Sequence, residues 1–130
     1  QDPADLAARY RAWRARPDGA PFTHGRRIHL PGHPYQGQPV IVSEFGGVKL
    51  EAPGAEGWGY GQAARSPREL LERIRGLVEA IRAQEDVAGF CYTQLTDVEQ
   101  EVNGLLTDHR QPKVDPDELA RIFRGERRSR

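Results

Sequence analysis

Two short apolar runs on either side of a strongly signalled helix constrain this chain more than any other feature. The first, Gln38-Pro39-Val40-Ile41-Val42-Ser43, is β-branched and ends in Glu44, followed by the pair Gly46-Gly47; the second is Val87-Ala88-Gly89-Phe90-Cys91-Tyr92-Thr93. Between them, Ser66-Pro67-Arg68-Glu69 forms a capping box with proline in the first turn, and Leu70, Leu71, Ile74, Leu77, Val78 and Ile81 follow at helical spacing. The interval is too long for a hairpin and predicts a βαβ unit with a right-handed parallel crossover. Strands covered on both faces read as continuous Val/Ile runs, and in parallel α/β folds chemistry gathers where the strands end. Glu44 stands at such an end and is the first candidate for a functional carboxylate.

The flanks extend this pattern to αβαβα. Asp2-Pro3-Ala4-Asp5 is a helix start, with Asp2 as cap and Asp5 at the positive end of the dipole, and predicts a helix of about 13 residues. Leu6, Tyr10 and Trp13 form a stripe at helical spacing that reads as a core-facing surface before a ligand platform. Residues 20–38 are rich in Gly, Pro and His without apolar periodicity and read as a long loop. Its His24, His29 and His33 lack the regular Cys or carboxylate partners of a zinc site and read as surface polar groups that can line a cleft. A second loop, 46–65, carries Gly57-Trp58-Gly59-Tyr60-Gly61, whose aromatic rings either cap the core or form a stacking platform for a sugar. A third, 94–114, is crowded with Gln94, Thr96, Asp97, Glu99, Gln100, Glu101 and Asn103. Asp115-Pro116-Asp117-Glu118 then caps a last short helix with Leu119, Ile122 and Phe123 on its apolar side. Loops that leave parallel strands emerge at one end of the sheet. Glu44 and the residues from Tyr92 to Asp97 would therefore stand on strands about 5 Å apart and share a ligand. The bland alternative for Glu44 is a salt bridge to Arg26, Arg27 or Arg110.

Charge excludes several classes. With 19 basic and 19 acidic side chains, the chain has neither an extended nucleic-acid surface nor a polybasic membrane anchor, and no run approaches the ~18 apolar residues of a membrane-spanning helix. The one basic cluster, residues 124–130, has too few apolar side chains to bury and reads as a disordered tail, with phosphate binding as the lesser reading. Cys91 is the sole cysteine, so no internal disulfide forms, and its apolar neighbours suggest packing within a strand and not a nucleophilic thiol. No metal or cofactor is expected.

Three motifs in order carry a resemblance: Val42-Ser43-Glu44-Phe45-Gly46-Gly47; residues 57–61; and residues 89–101, Gly-Phe-Cys-Tyr-Thr-Gln-Leu-Thr-Asp-Val-Glu-Gln-Glu. Asn103-Gly104-Leu105-Leu106-Thr107 and Arg110-Gln111-Pro112-Lys113 extend it. Together they resemble the end of the catalytic barrel in family 2 glycoside hydrolases, and in particular its β-galactosidase-like members. The resemblance implies an α/β chain whose residues 1–123 are the last two to three βα units of a (β/α)8 TIM barrel, with Glu44 on the seventh strand. It implies a retaining mechanism in which Glu44 is the nucleophile and a second carboxyl about 5 Å away protonates the leaving oxygen. It also implies a β-glycoside partner held by Trp58, Tyr60, Tyr92, Gln94 and Asp97. Two departures stand out: Tyr92 replaces a Trp usual at the end of the eighth strand, and His109 replaces an Asp.

In the family the acid/base lies in an Asn-Glu pair, a dipeptide this sequence lacks, and Glu99 and Glu101 are too loop-bound to substitute for it. A complete barrel needs roughly 250 residues. Gln1 in place of an initiator methionine, with no Met in the sequence, adds to the expectation of a fragment that lacks its acid/base and is inactive without the remainder of the barrel. A carbohydrate-binding or barrel-complementing module without catalysis is the alternative expectation. Where the protein resides is left open.

Overall fold

The computed structural model describes residues 2–17, 25–51 and 56–126. Within them the order is α1 (Pro3–Ala15), β1 (Val40–Gly46), α2 (Pro67–Arg82), β2 (Val87–Thr93) and α3 (Pro116–Arg124). The two strands form a parallel sheet, as the strand–helix–strand interval requires.

Each helix begins on a side-chain cap followed by proline. Asp2 accepts from the N–H groups of Ala4 and Asp5, Ser66 from Glu69, and Asp115 from Asp117 and Glu118. The capping box at α2 is displaced by one residue, since the Glu69 carboxylate accepts from the N–H of Arg65. That bond is the largest cause holding Glu69 below the usual carboxylate range. α3 ends on Gly125 in the left-handed region, with the N–H of Glu126 returning to Arg121 O at 2.9 Å. Arg124 therefore belongs to α3, and residues 127–130 of the expected tail lie outside the described residues.

The core sits between the sheet and α2. Leu70, Leu71, Ile74, Leu77, Val78 and Ile81 are all buried and meet Phe45, Val48, Leu105, Val114 and Ile122 in one cluster. Burial of each such aliphatic side chain stabilises the fold by roughly 1.5–3 kcal/mol. α2 also packs against α1 and α3. On α1, Tyr10 and Trp13 are buried and Leu6 packs on the core, so the stripe faces inward. Trp13 further anchors the loop before β1, with Tyr35 edge-on at 5.0 Å and His29 stacked at 6.2 Å between ring centroids. His29 and His33 line a cleft of about 580 Å³ with Tyr35, Gln38, Val40 and Ile41 at the start of β1. His24 lies outside the described residues.

One face of the sheet is packed, with Val42, Phe45, Phe90 and Tyr92 turned to the helices. The other carries Ile41, which is 66% exposed, together with exposed Ser43, Glu44 and Cys91. Cys91 corrects the expectation of a packed thiol. It lies on the face that no helix covers among the described residues, so flanking apolar residues do not bury it.

Candidate active site

Strict alternation along β1 would turn Glu44 toward the core together with Val42. The register prevents this: Val42 pairs with Phe90 and Phe45 with Tyr92, so Ser43 and Glu44 on β1 stand against Cys91 alone on β2. The extra residue is a β-bulge, which re-aims the side chains that follow it. Phe45 turns inward, 1% exposed, and Glu44 is left on the open face at the carboxyl end of the strand.

Gly46 and Gly47 follow with φ of +98° and +65°, a region that side-chain-bearing residues rarely adopt. Both also admit aromatic rings against the backbone. A Cβ on Gly46 would stand 2.2 Å from the Tyr92 ring, and one on Gly47 would stand 2.3 Å from the Tyr60 ring. The glycine pair thus seats one tyrosine on each side of the chain just past Glu44.

Tyr60 reaches the carboxylate. Its hydroxyl donates to Glu44 Oε1 at 2.9 Å, and its N–H donates to Gly47 O at 2.7 Å. The hydrogen bond to Glu44 raises the phenol above its ordinary value, with burial and the charges of Glu44 and Glu101 adding in the same direction. Trp58 lies beside it, ring centroids 5.9 Å apart and 50% exposed. The Trp58 backbone is pinned to the third loop, its N–H donating to Gln100 O at 2.8 Å and its carbonyl accepting from Val102 at 3.0 Å. Among the described residues no ion pair engages Glu44, so Arg26, Arg27 and Arg110 do not neutralise it.

The remaining expected site residues stand apart from this group. Tyr92 packs on Phe45 and Phe123, with ring centroids at 5.5 and 5.8 Å, on the helix side of the sheet. Its hydroxyl is buried without a hydrogen-bond partner, and burial pushes its pKa up to about 12, opposed only by the nearby Val48 N–H. Asp97 binds the Lys113 ammonium at 2.6 Å and the Gly104 N–H at 2.8 Å, with about a tenth of each ion-paired side chain exposed. Lys113 also donates to Val102 O at 3.0 Å, so this buried pair ties the third loop together. Gln94 donates to Glu101 O at 3.4 Å, and its carbonyl accepts from Leu105 at 3.0 Å.

Sequence reasoning set Glu101 aside, yet its charge is felt at Tyr60 and its Oε1 accepts from the fully buried Asn103 at 3.0 Å. The signal available was the Glu-x-Asn spacing in an otherwise solvated run. Among the described residues no group of His, Cys, Asp and Glu can hold a metal ion, and no helix is long and apolar enough to cross a membrane.

No protein-family model and no curated protein matches this chain. Among solved structures, the chain is similar to a Bifidobacterium dentium β-glucuronidase complexed with coumarin-3-O-glucuronide, at 22% identity and a TM-score of 0.49. The match covers 67% of this chain and 15% of the glucuronidase chain.

Proposed function

We propose that this chain supplies the nucleophile-bearing part of a retaining β-glycoside hydrolase of family 2, as the closing βα units of a TIM barrel. Glu44 attacks the anomeric carbon and forms a covalent glycosyl-enzyme as the glycosidic C–O bond breaks. A carboxylic acid from the remainder of the barrel protonates the leaving oxygen and then activates water for the second step.

The observation that carries this reading is the bulge that lifts Glu44 out of the packed face. Unlike the Asp97 carboxylate, which is paired with Lys113, that of Glu44 faces the open side of the sheet. This one has a phenol donor, an exposed indole nearby, and no ion pair among the described residues. The bare sheet face supports the need for further barrel strands, since a two-stranded sheet that exposes Ile41 leaves apolar surface uncovered. Within the same reading, Trp58 is the stacking surface for the sugar ring, and Gln94, Asp97 and Tyr92 support the loops and strand that frame it.

The test is mechanism-based labelling of the complete enzyme with a 2-deoxy-2-fluoro β-glycoside, followed by peptide mapping. The expected product is a stable ester on Glu44, and a label on any other carboxylate would remove Glu44 from the role. Trp58→Ala is expected to raise KM more than it lowers kcat.

The exposed Trp58–Tyr60 pair also favours a second reading, a carbohydrate-binding surface without catalysis. In that case Glu44→Gln leaves sugar affinity intact and no covalent adduct forms in any assembly that contains the chain.

A further inference from the structure

We propose that Tyr60 is a positioning residue for the Glu44 carboxylate, acting through its hydroxyl on Oε1 and leaving Oε2 to meet the sugar. The inference rests on the nucleophile reading of Glu44 and assigns Tyr60 a task other than stacking.

Three observations carry it. The Tyr60 Oη–Glu44 Oε1 hydrogen bond is 2.9 Å long, and among the described residues no ion pair competes for that carboxylate. The ring that delivers the hydroxyl is held from several directions, by the Gly47 backbone beneath it, by its own N–H on Gly47 O at 2.7 Å, and by Trp58, itself bridged to Gln100 and Val102. A donor fixed by its own supporting contacts is what orientation of a reacting group requires. The ring face against Gly47 is not open to a sugar, whereas Trp58 is half exposed. The hydrogen bond to Glu44, with burial and the charges of Glu44 and Glu101, raises the phenol above its ordinary value, so it stays a donor at neutral pH and well into the alkaline range.

The chemistry sets which step depends on it. In the first step the Glu44 oxygen bonds to the anomeric carbon, the glycosidic C–O bond breaks, and the leaving oxygen takes a proton from the barrel's carboxylic acid. Glu44 becomes a neutral ester, a weaker acceptor than a carboxylate. In the second step water attacks the anomeric carbon, its proton passes to that same barrel carboxylate, and the ester C–O bond breaks to return charge to Glu44. A donor on Oε1 stabilises that returning charge, so its loss slows breakdown of the glycosyl-enzyme more than its formation.

The test compares Tyr60→Phe, which keeps the ring, with Tyr60→Ala in the complete enzyme. Tyr60→Phe is expected to lower kcat and KM together, to leave kcat/KM near wild type, and to slow reactivation of the 2-fluoroglycosyl-enzyme by about 10- to 100-fold. Reactivation at the wild-type rate in Tyr60→Phe, with a raised KM in Tyr60→Ala, would overturn the proposal in favour of stacking. A second measurement needs no turnover: NMR titration of Tyr60 is expected to show a pKa above the ordinary value that falls back in Glu44→Gln. An ordinary titration in the wild type would refute the positioning role even where the label lands on Glu44. A label elsewhere would instead refute the nucleophile reading, so the two failures are distinct.

Discussion

The two faces of the β1–β2 sheet are built from the same fourteen-residue pair of strands and behave in opposite ways. On the helix side Val42, Phe45, Phe90 and Tyr92 interlock with α2 and α3, with Phe45 edge-on to Phe90 and Tyr92 at 5.5 Å. On the other side Ile41, Ser43, Glu44 and Cys91 are exposed, and among the described residues no helix packs over them. A single inserted residue separates the two outcomes for neighbouring positions, placing Phe45 in the core and Glu44 outside it. Packed side chains and the candidate carboxylate are thus divided between the two faces by a local irregularity in the pairing.

The largest expected effect is on the open face. In the complete enzyme, Glu44→Gln should lower turnover of an aryl β-glycoside by about four orders of magnitude or more while thermal unfolding stays at the wild-type temperature. A comparable loss of stability would mean that Glu44 belongs to the scaffold. Next comes the packed face, where Phe45→Ala should cost about 3–5 kcal/mol in denaturant unfolding, since the cavity is enclosed by Phe90, Tyr92 and the residues of α2.

Tyr92 gives the packed face a dependence on pH. Its phenol ionises at about 10 when unfolded and at about 12 in the fold, because burial disfavours the anion. The unfolded chain therefore loses that proton first, and stability present below pH 10 is lost as pH rises toward 12, by about 2–3 kcal/mol. Tyr92→Phe should remove this alkaline loss and, by deleting a buried hydroxyl without a partner, add about 1 kcal/mol at neutral pH. Unchanged alkaline unfolding would show that the hydroxyl reaches solvent. The smallest effect is expected at Ile41, where Ile41→Ser in this chain should change stability by no more than about 0.5 kcal/mol, against several for Ile74→Ala on α2.

Much of this arrangement was legible in the residues. The caps Asp2, Ser66 and Asp115, each followed by proline, define three helix starts, and the periodicity of α2 marks its buried face. Glu44 stands out because it interrupts a β-branched run before two glycines. The bulge was not legible, since Val-Ser-Glu-Phe is compatible with plain alternation and the pairing register depends on β2 about 45 positions away. The resemblance places Tyr92 and Tyr60 alike at the sugar, yet the glycine pair seats them on different sides, one in the core and one on the carboxylate. Asp97 entered the sugar site through the resemblance, and its ion pair with Lys113, 16 positions along the chain, was not legible. Cys91 misled for the reason that governs the whole open face, that apolar neighbours along a strand do not state which face is covered.

Chemical rescue of Glu44→Ala in the complete enzyme is the decisive measurement of whether Glu44 is the nucleophile. Azide entering the vacated position would attack the anomeric carbon of an aryl β-glycoside from the nucleophile's side as the aryloxide departs. Restored turnover with an α-glycosyl azide as product is expected if Glu44 is the nucleophile. A β-glycosyl azide would make Glu44 the acid/base, and no rescue together with wild-type labelling elsewhere would remove Glu44 from the nucleophile's role.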